Sequence, residues 1–529
     1  MSLPSPVAEP VSAIMRASMW PGLYRVLTSR WLLAVVVAAP LVAATLTANM
    51  SFDEAIWTHI GFGWAVEGAK PYLERFDSKP PGVMMVFGLA DLAVGVNTWL
   101  VRLIGVLALV LASLVIYAIG RRAFDRTAGA LAMVIYGLMM SRSVLDGPYA
   151  AHAESFMVLF SVLAFYLLAR ALRAVSSRTY ALEFLLAWLA IGIATFCFKQ
   201  VAMCTAIGLL AFYFLHRKSA RTKTALPRDL AIAAAGMAAS IFLTLLPLAL
   251  SGVPAGEYWR AAWVSPFYAE EVNTSILGRV LGFCSTWQHG ELLLFVPLLV
   301  AFLAQRRSLN AGGAPFAGIM AWLIADFVGA NASGNYYGHQ LRQVMPPLAL
   351  ASGLGLSAAL QALGATAERA HKRSLAAVGL AVLLLIPYGM LLKAAFQRPL
   401  RDPARELGTW IRGNSTPTDS IFPCGPTSMQ ILAWSRRRTP CRYFNLIFAP
   451  LPGAEAELAK SIADSPPRYV LVPSEGLDAL PPREHVVADW LPGMIAGSYT
   501  PKLVMNGYCV YERRHGPSSP APGPARSAR

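Results

Sequence analysis

Apolar runs of roughly 16 to 24 residues recur along the first 396 positions, broken by short polar stretches, and each is long enough or nearly so to cross about 30 Å of hydrocarbon. Spans are expected near 31 to 49, 99 to 119, 127 to 141, 155 to 173, 181 to 198, 200 to 216, 229 to 250, 291 to 305, 314 to 333, 341 to 362 and 375 to 395. Gly82 to Gly95 breaks the rhythm, being apolar but short, interrupted by Asp91 and bracketed by glycine and proline. Basic residues decide its placement. If it does not cross, Arg121, Arg122 and Arg126, then Arg170, Arg173 and Arg178, the cluster from Arg217 to Arg228, Arg306 and Arg307, and Arg369, Lys372 and Arg373 all fall on the inner side with the N-terminus. The stretch therefore reads as a juxtamembrane or re-entrant helix, giving about eleven spans with the C-terminus outside.

Beyond Pro399 the pattern changes. Arg405 to Ile411 and Thr427 to Trp434 read as helices, and Ser420 to Pro423, Arg468 to Pro473 and Tyr508 to Arg513 as strands. The expected fold is an α-helical polytopic membrane protein with outer juxtamembrane helices and a small C-terminal α/β domain. The division runs 1–396 for the membrane unit with its outer loop 50–98, 397–514 for the outer domain, and 515–529 for a Pro/Gly/Ala/Ser tail with nothing to bury.

Composition agrees: 56% hydrophobic residues, 14% charged and a mean hydropathy of +0.50 exclude a disordered chain and argue against a soluble globule. The net charge of +16 does not signal nucleic-acid binding, because the basic residues lie in small clusters between apolar runs. Arg16, Arg25 and Arg30 precede the first run with no cleavage pattern beyond it, so that run is expected to be an uncleaved span. The six cysteines show no CxxC or Cys/His spacing; Cys424, Cys441 and Cys509 leave room for one disulfide without choosing a pair. No internal repeat of the kind that marks two-halved transporters is visible.

This topology gathers the unusual polar residues on one face. Asp53 and Glu54 follow the first span and open a loop ending Phe76-Asp77-Ser78-Lys79-Pro80-Pro81. Asp53 either caps the next helix or acts as a base, and Glu54 is a helix-start or supporting acid beside it. Lys79, in a rigid turn, either snorkels or meets a lipid phosphate. His152 and Glu154 open a span, where Glu154 either complements a helix dipole or forms a second acidic centre. Lys199 either ends helices or supplies another phosphate contact, the contact being favoured. The run Asn335-Tyr336-Tyr337-Gly338-His339-Gln340-Leu341-Arg342 is dense in donors and rings; Trp287-Gln288-His289 is a weaker case.

In this order the pieces resemble the C-type glycosyltransferases that use lipid-linked sugars, in the branch of the protein O-mannosyltransferases, aminoarabinose transferases and rhizobial galacturonosyltransferases. The resemblance is carried by Asp53-Glu54, Gly68-Ala69-Lys70-Pro71-Tyr72, Phe76 to Gly82, Ala153-Glu154, Tyr336 to Gln340 and Pro346-Pro347, and covers roughly residues 30 to 360. It implies inverting transfer of a hexose or pentose from a polyprenyl phosphate to an envelope acceptor, which is lipid A, another glycan or a protein. Asp53 would be the base and Glu154 the second acid, with Glu54, Lys79, His152, Lys199, Tyr337, His339 and Arg342 around the substrates. Lys79 would hold the carrier phosphate and Arg342 or His339 assist. No cofactor is required on this reading, a divalent metal being possible but unsupported, since Ser78 stands where the aminoarabinose branch carries an acid. The expected place is a bacterial inner membrane with the active site periplasmic. The competing reading is a transporter or flippase of lipid-linked saccharides, which would use the same cavity without a base.

Overall fold

The computed structural model describes residues 28–46, 49–146, 151–220, 224–269, 299–311 except 301, 315–331, 338–363, 401–477 except 426, and 489–514, with a few single residues between them. Helix α1 (Arg30–Leu46) is the first apolar run. Helix α2 (Phe52–Glu67) begins where Ser51 and Glu54 form a reciprocal capping box, and it ends at Gly68, whose φ of 72° lets its N–H turn back to the Gly63 carbonyl. Helix α3 (Gly82–Val94) has 13 residues. At 1.5 Å per residue that is about 20 Å, short of the roughly 30 Å of a bilayer core. It packs on α2, and the two backbones meet so closely that a Cβ on Gly61 would lie 2.6 Å from the Gly88 nitrogen.

The bundle continues with α4 (Trp99–Ala123), α5 (Arg126–Asp146), α6 (Ala153–Ala171) and α7 (Ser177–Gly192), the last running into a π-helical turn, Ile193–Phe198. Next come α8 (Ala202–His216), α9 (Leu226–Leu250), α10 (Phe316–Asn331), a 3-10 segment (Gly338–Gln343) and α11 (Met345–Leu363). Among the described residues four helices are long and apolar enough to cross a membrane: Trp99–Ala123, Ala153–Ala171, Ser177–Phe198 and Leu226–Leu250. Shorter apolar helices cover Arg30–Ala43, Arg126–Met140, Ala202–His216 and Phe316–Asn331. The spans expected at 291 to 305 and 375 to 395 lie largely outside the described residues. Helix α4 packs on α5, α5 on α11, α6 on α7, α7 on α9, and α8 on α10. On α9, Phe242, Leu246 and Leu250 stand exposed, an apolar flank suited to lipid.

Residues 403–513 contain a four-stranded sheet in the order β1-β2-β4-β3. Helix α12 (Pro403–Gly413) precedes β1 (Ile421–Pro423); α13 (Ser428–Ser435) and α14 (Ala454–Asp464) then form the crossover to β2 (Tyr469–Pro473), which pairs parallel to β1. A further helix, α15 (Leu491–Ser498), leads into the hairpin of β3 (Tyr499–Met505) and β4 (Tyr508–Arg513). The hairpin turns at Asn506 and Gly507, both with positive φ, as a two-residue turn of this hand demands. The hydrophobic pattern gave no sign of β3, which exposes most of its residues at the sheet edge and contains Pro501. No disulfide joins any pair among Cys424, Cys441 and Cys509.

This region is clasped to the first loop. Helix α13 packs on α2, the Phe76 N–H donates to the Arg442 carbonyl at 3.0 Å, and the Phe76 ring lies 5.1 Å from both Tyr443 and Phe448.

Between α2 and α4 lies a buried ion pair. Arg102 donates from Nε to Glu54 Oε1 at 2.7 Å and from Nη2 to Oε2 at 2.6 Å, with side-chain exposures of 0% and 1%. Removing one partner of such a pair costs roughly 3–5 kcal/mol, whereas replacing both by apolar groups is near neutral. Arg102→Met is therefore expected to lower the thermal unfolding midpoint of detergent-purified protein markedly, and Glu54→Met with Arg102→Met to recover most of the loss. An unchanged midpoint in the single variant would show that the pair does not hold α2.

Candidate functional site

Three residues at the start of α2 divide the work. Ser51 takes the cap, Glu54 turns inward to Arg102, and Asp53 is left at the surface with its side chain one-third exposed. Glu54, expected among the substrate contacts, is buried, with its oxygens accepting from Arg102 and the Ser51 N–H. Burial works to raise its pKa but is outweighed by the Arg102 guanidinium, which holds it below the ordinary range. Capping by Ser51 also removes the reading of Asp53 as a mere cap.

Asp53 Oδ2 lies 3.5 Å from Nδ1 of His152, the residue that precedes α6. The His152 ring stacks on His339 with centroids 4.7 Å apart and takes the edge of Trp57 at 5.7 Å. Trp57 is one helical turn after Asp53, so both stand on the same face of α2. Burial pushes both imidazoles down to about 4, for His152 with help from the His339 ring, and for His339 against the pull of Glu154. Both rings are neutral at pH 7.

Beneath them Glu154 is ion-paired with Lys199, and its Oε1 lies 3.8 Å from His339 Nε2. Glu154, expected as a second catalytic acid, is buried, ion-paired with Lys199 and close to His339. Arg342 follows His339 on the 3-10 segment, fully buried, and donates to Ser155 Oγ at 2.8 Å. The segment is anchored by Gln343, whose Nε2 donates to Asp326 Oδ1 at 3.1 Å and to the Val201 carbonyl at 3.0 Å.

The Lys79 loop is held from several sides. The Trp57 indole donates to Asp77 Oδ2 at 3.0 Å, the Ser78 N–H to Asp77 Oδ1 at 2.7 Å, the Tyr72 hydroxyl to the Lys79 carbonyl at 2.9 Å, and Gln200 Nε2 to the Ser78 carbonyl at 3.1 Å. Burial raises the Asp77 pKa; Lys79 opposes that and Asp53 adds to it, so all three charges belong to one neighbourhood. Lys79 also acts on His339.

The structure thus brings together Asp53, Lys79, His152, Glu154, Lys199, His339 and Arg342. Tyr337, Trp287 and His289 lie outside the described residues. Sequence reasoning did not assign Trp57, Asp77, Gln200 or Arg102. Spacing offered a signal for Trp57, four residues after Asp53; Arg102 is 48 positions from its partner and offered none.

Asp53, His152 and His339 also place one potential ligand atom each within 4.8 Å of one another. Two imidazoles and a carboxylate suit a divalent zinc, manganese or iron ion. Both His152 nitrogens are buried without a hydrogen bond, so the residues fit such an ion.

The two depressed imidazoles predict an acid-side loss of stability. Below about 6.5 the unfolded chain binds protons on them that the folded chain refuses until about 4. Their contribution is whole above pH 6.5 and lost as pH falls through that window. The unfolding midpoint in detergent should drop between pH 6.5 and 4, with a shallower slope in His339→Asn; equal slopes would contradict the assignment.

The family model described as dolichyl-phosphate-mannose-protein mannosyltransferase matches residues 78–247. No curated protein matches by sequence. Among solved structures, ArnT from Cupriavidus metallidurans bound to undecaprenyl phosphate aligns with a TM-score of 0.61 at 15% identity, covering 93% of this chain and 98% of that one. The same enzyme in the apo state gives 0.61 at 16% identity, over 90% and 97% of the two chains. The archaeal oligosaccharyltransferase AglB from Archaeoglobus fulgidus, in complex with an inhibitory peptide and a dolichol-phosphate, gives 0.57 at 15%, over 94% and 75%. The chain is thus similar to the mannosyltransferase family model across 78–247 and shares its fold over nearly its whole length with ArnT and AglB.

Proposed function

We propose that the protein transfers a sugar from a polyprenyl phosphate to an envelope acceptor, with inversion, at the periplasmic face of a bacterial inner membrane. The observation that carries this reading is Asp53: a partly exposed carboxylate faced by a neutral imidazole, in the same neighbourhood as Lys79 and beside a layer containing Lys199 and Arg342. A base and a cationic phosphate site at one mouth are what transfer needs and a flippase does not.

In the step, Asp53 accepts the proton of the acceptor hydroxyl. The oxygen attacks the anomeric carbon from the side opposite the carrier, and the bond from that carbon to the phosphate oxygen breaks with its electron pair going to the phosphate. The carrier leaves as polyprenyl phosphate, stabilised by Lys79 and by the positive charge of Lys199 and Arg342. His152 and His339, kept neutral, stand between Asp53 and the Glu154–Lys199 pair and keep the base from being tied up with Lys199. Glu154 keeps Lys199 in place.

A divalent ion, if bound, would be held by Asp53, His152 and His339 and would supply Lewis-acid charge near the phosphate. We assign that charge to the chain's own lysines, as ordinary electrostatic stabilisation of an anionic leaving group. Hence transfer should survive exhaustive chelation. Loss of activity on chelation with recovery on adding zinc or manganese would give the role to an ion.

Asp53→Asn tests the base directly. Turnover with lipid-linked sugar should fall about 10²–10⁴-fold, the usual worth of a positioned base, while binding of undecaprenyl phosphate stays within a factor of a few. Normal turnover in the variant would remove Asp53 from the chemistry, and transport of the lipid-linked sugar without transfer in the parent protein would favour the flippase.

A further inference from the structure

A cavity lies away from the carboxylate and histidines just described, between the first loop and the region that follows β1. Its volume is about 440 Å³, within the range of small-molecule sites. Glu67, Glu74 and Arg75 line one side and Arg438, Arg442 and Glu457 the other. The architecture is built for it: Arg75 lies across α2 at Gly63, where any Cβ would collide with the guanidinium, and is fixed there by the His59 carbonyl and by Glu67. Arg442 is held by Glu457 at 2.8 Å, which leaves its Nε buried without a hydrogen bond.

Two members are uncommitted. Among the described residues the exposed side chains of Arg438 and Glu74 make neither an ion pair nor a hydrogen bond, and of their charges Arg438 bears on Arg75 unfavourably and Glu74 favourably. Three guanidiniums against three carboxylates cancel in formal charge, so the cleft has no net preference for a polyanion. Alternating fixed donors and fixed acceptors suit hydroxyl groups, each of which gives one hydrogen bond and accepts others. The lining offers neither a sheet edge nor a row of apolar pockets, the usual means of holding a peptide.

The cleft is coupled to the candidate site. Arg75 and Lys79 are four residues apart, at most about 14 Å along an extended chain. Asp77, between them, is bonded to Trp57, which touches His152. We infer that this cleft binds the hydroxyl-rich part of a glycan acceptor and presents the acceptor to Asp53. As an acceptor site the inference rests on the transferase reading; as a saccharide site it does not.

The test uses full-length protein in detergent and follows amide hydrogen exchange in residues 67–75 and 438–442. Three probes are compared: the oligosaccharides released by mild acid from envelope glycolipids of the producing cell, a tryptic digest of its envelope proteins, and inorganic phosphate. The oligosaccharides should slow exchange in both segments, and Glu74→Ala with Arg438→Ala should weaken that effect about tenfold or more, as loss of even one hydrogen bond to a charged group implies. In transfer assays the same variant should raise KM for the glycan acceptor about tenfold with undecaprenyl phosphate binding unchanged. Protection by the digest or by phosphate in place of the oligosaccharides, or no protection by any probe, overturns the proposal. Protection without transfer would overturn the acceptor role and the transferase reading while leaving the saccharide site standing.

Discussion

The pairing of Glu54 with Arg102 sets the roll of α2, and the geometry of the site follows from that roll. Two adjacent acids on a helix point about 100° apart, so burying one against α4 obliges the other to face a different way. With Ser51 supplying the cap, Asp53 has no structural duty left. The inward acid is costly to bury, and its bidentate guanidinium, together with the Ser51 N–H, is what makes the burial tolerable. Trp57, one turn on, is carried by the same rotation to the place where it reaches Asp77 and His152.

Around Asp53 the charges are layered. A pair of neutral imidazoles lies next to it, then Glu154 with Lys199, with Arg342 at Ser155. On the proposed reading, close contact between Asp53 and Lys199 would neutralise the base, and the uncharged rings between them leave the carboxylate available. The layer is assembled from α2, α6, the π-helical turn after α7 and the 3-10 segment, each contributing at its end. Helix ends, where partners from several elements converge, are the places in a membrane bundle where such buried charges can be paired.

The region around the sheet is joined to the same machinery through the first loop. Phe76 is bonded to Arg442 and packed among Tyr443 and Phe448, while the next residue, Asp77, is bonded to Trp57. A group settling against Arg438 or Glu74 therefore sits a few residues from the lysine at the mouth, on a stretch of chain held at both ends.

Local pattern determined a good deal by itself. The apolar runs read as spans at 99–119, 155–173, 181–198 and 229–250 fall on the helices Trp99–Ala123, Ala153–Ala171, Ser177–Phe198 and Leu226–Leu250, because a mainly apolar stretch can satisfy its backbone in lipid only as a helix. The glycine and prolines around Gly82 were legible for similarly local reasons, whereas the cap that the sequence offered to Asp53 is taken by Ser51. Charge bookkeeping put Asp53, Lys79, His152, Lys199 and His339 on a common face. Only tertiary structure decided how they divide the work. Glu54 and Glu154 look as available as Asp53 in the sequence, and each is removed from the surface by a cation distant along the chain, Arg102 and Lys199. Position along a chain tells which side of a membrane a residue reaches, but which carboxylate stays free depends on which cation packs beside it, and that is settled by helices meeting in space.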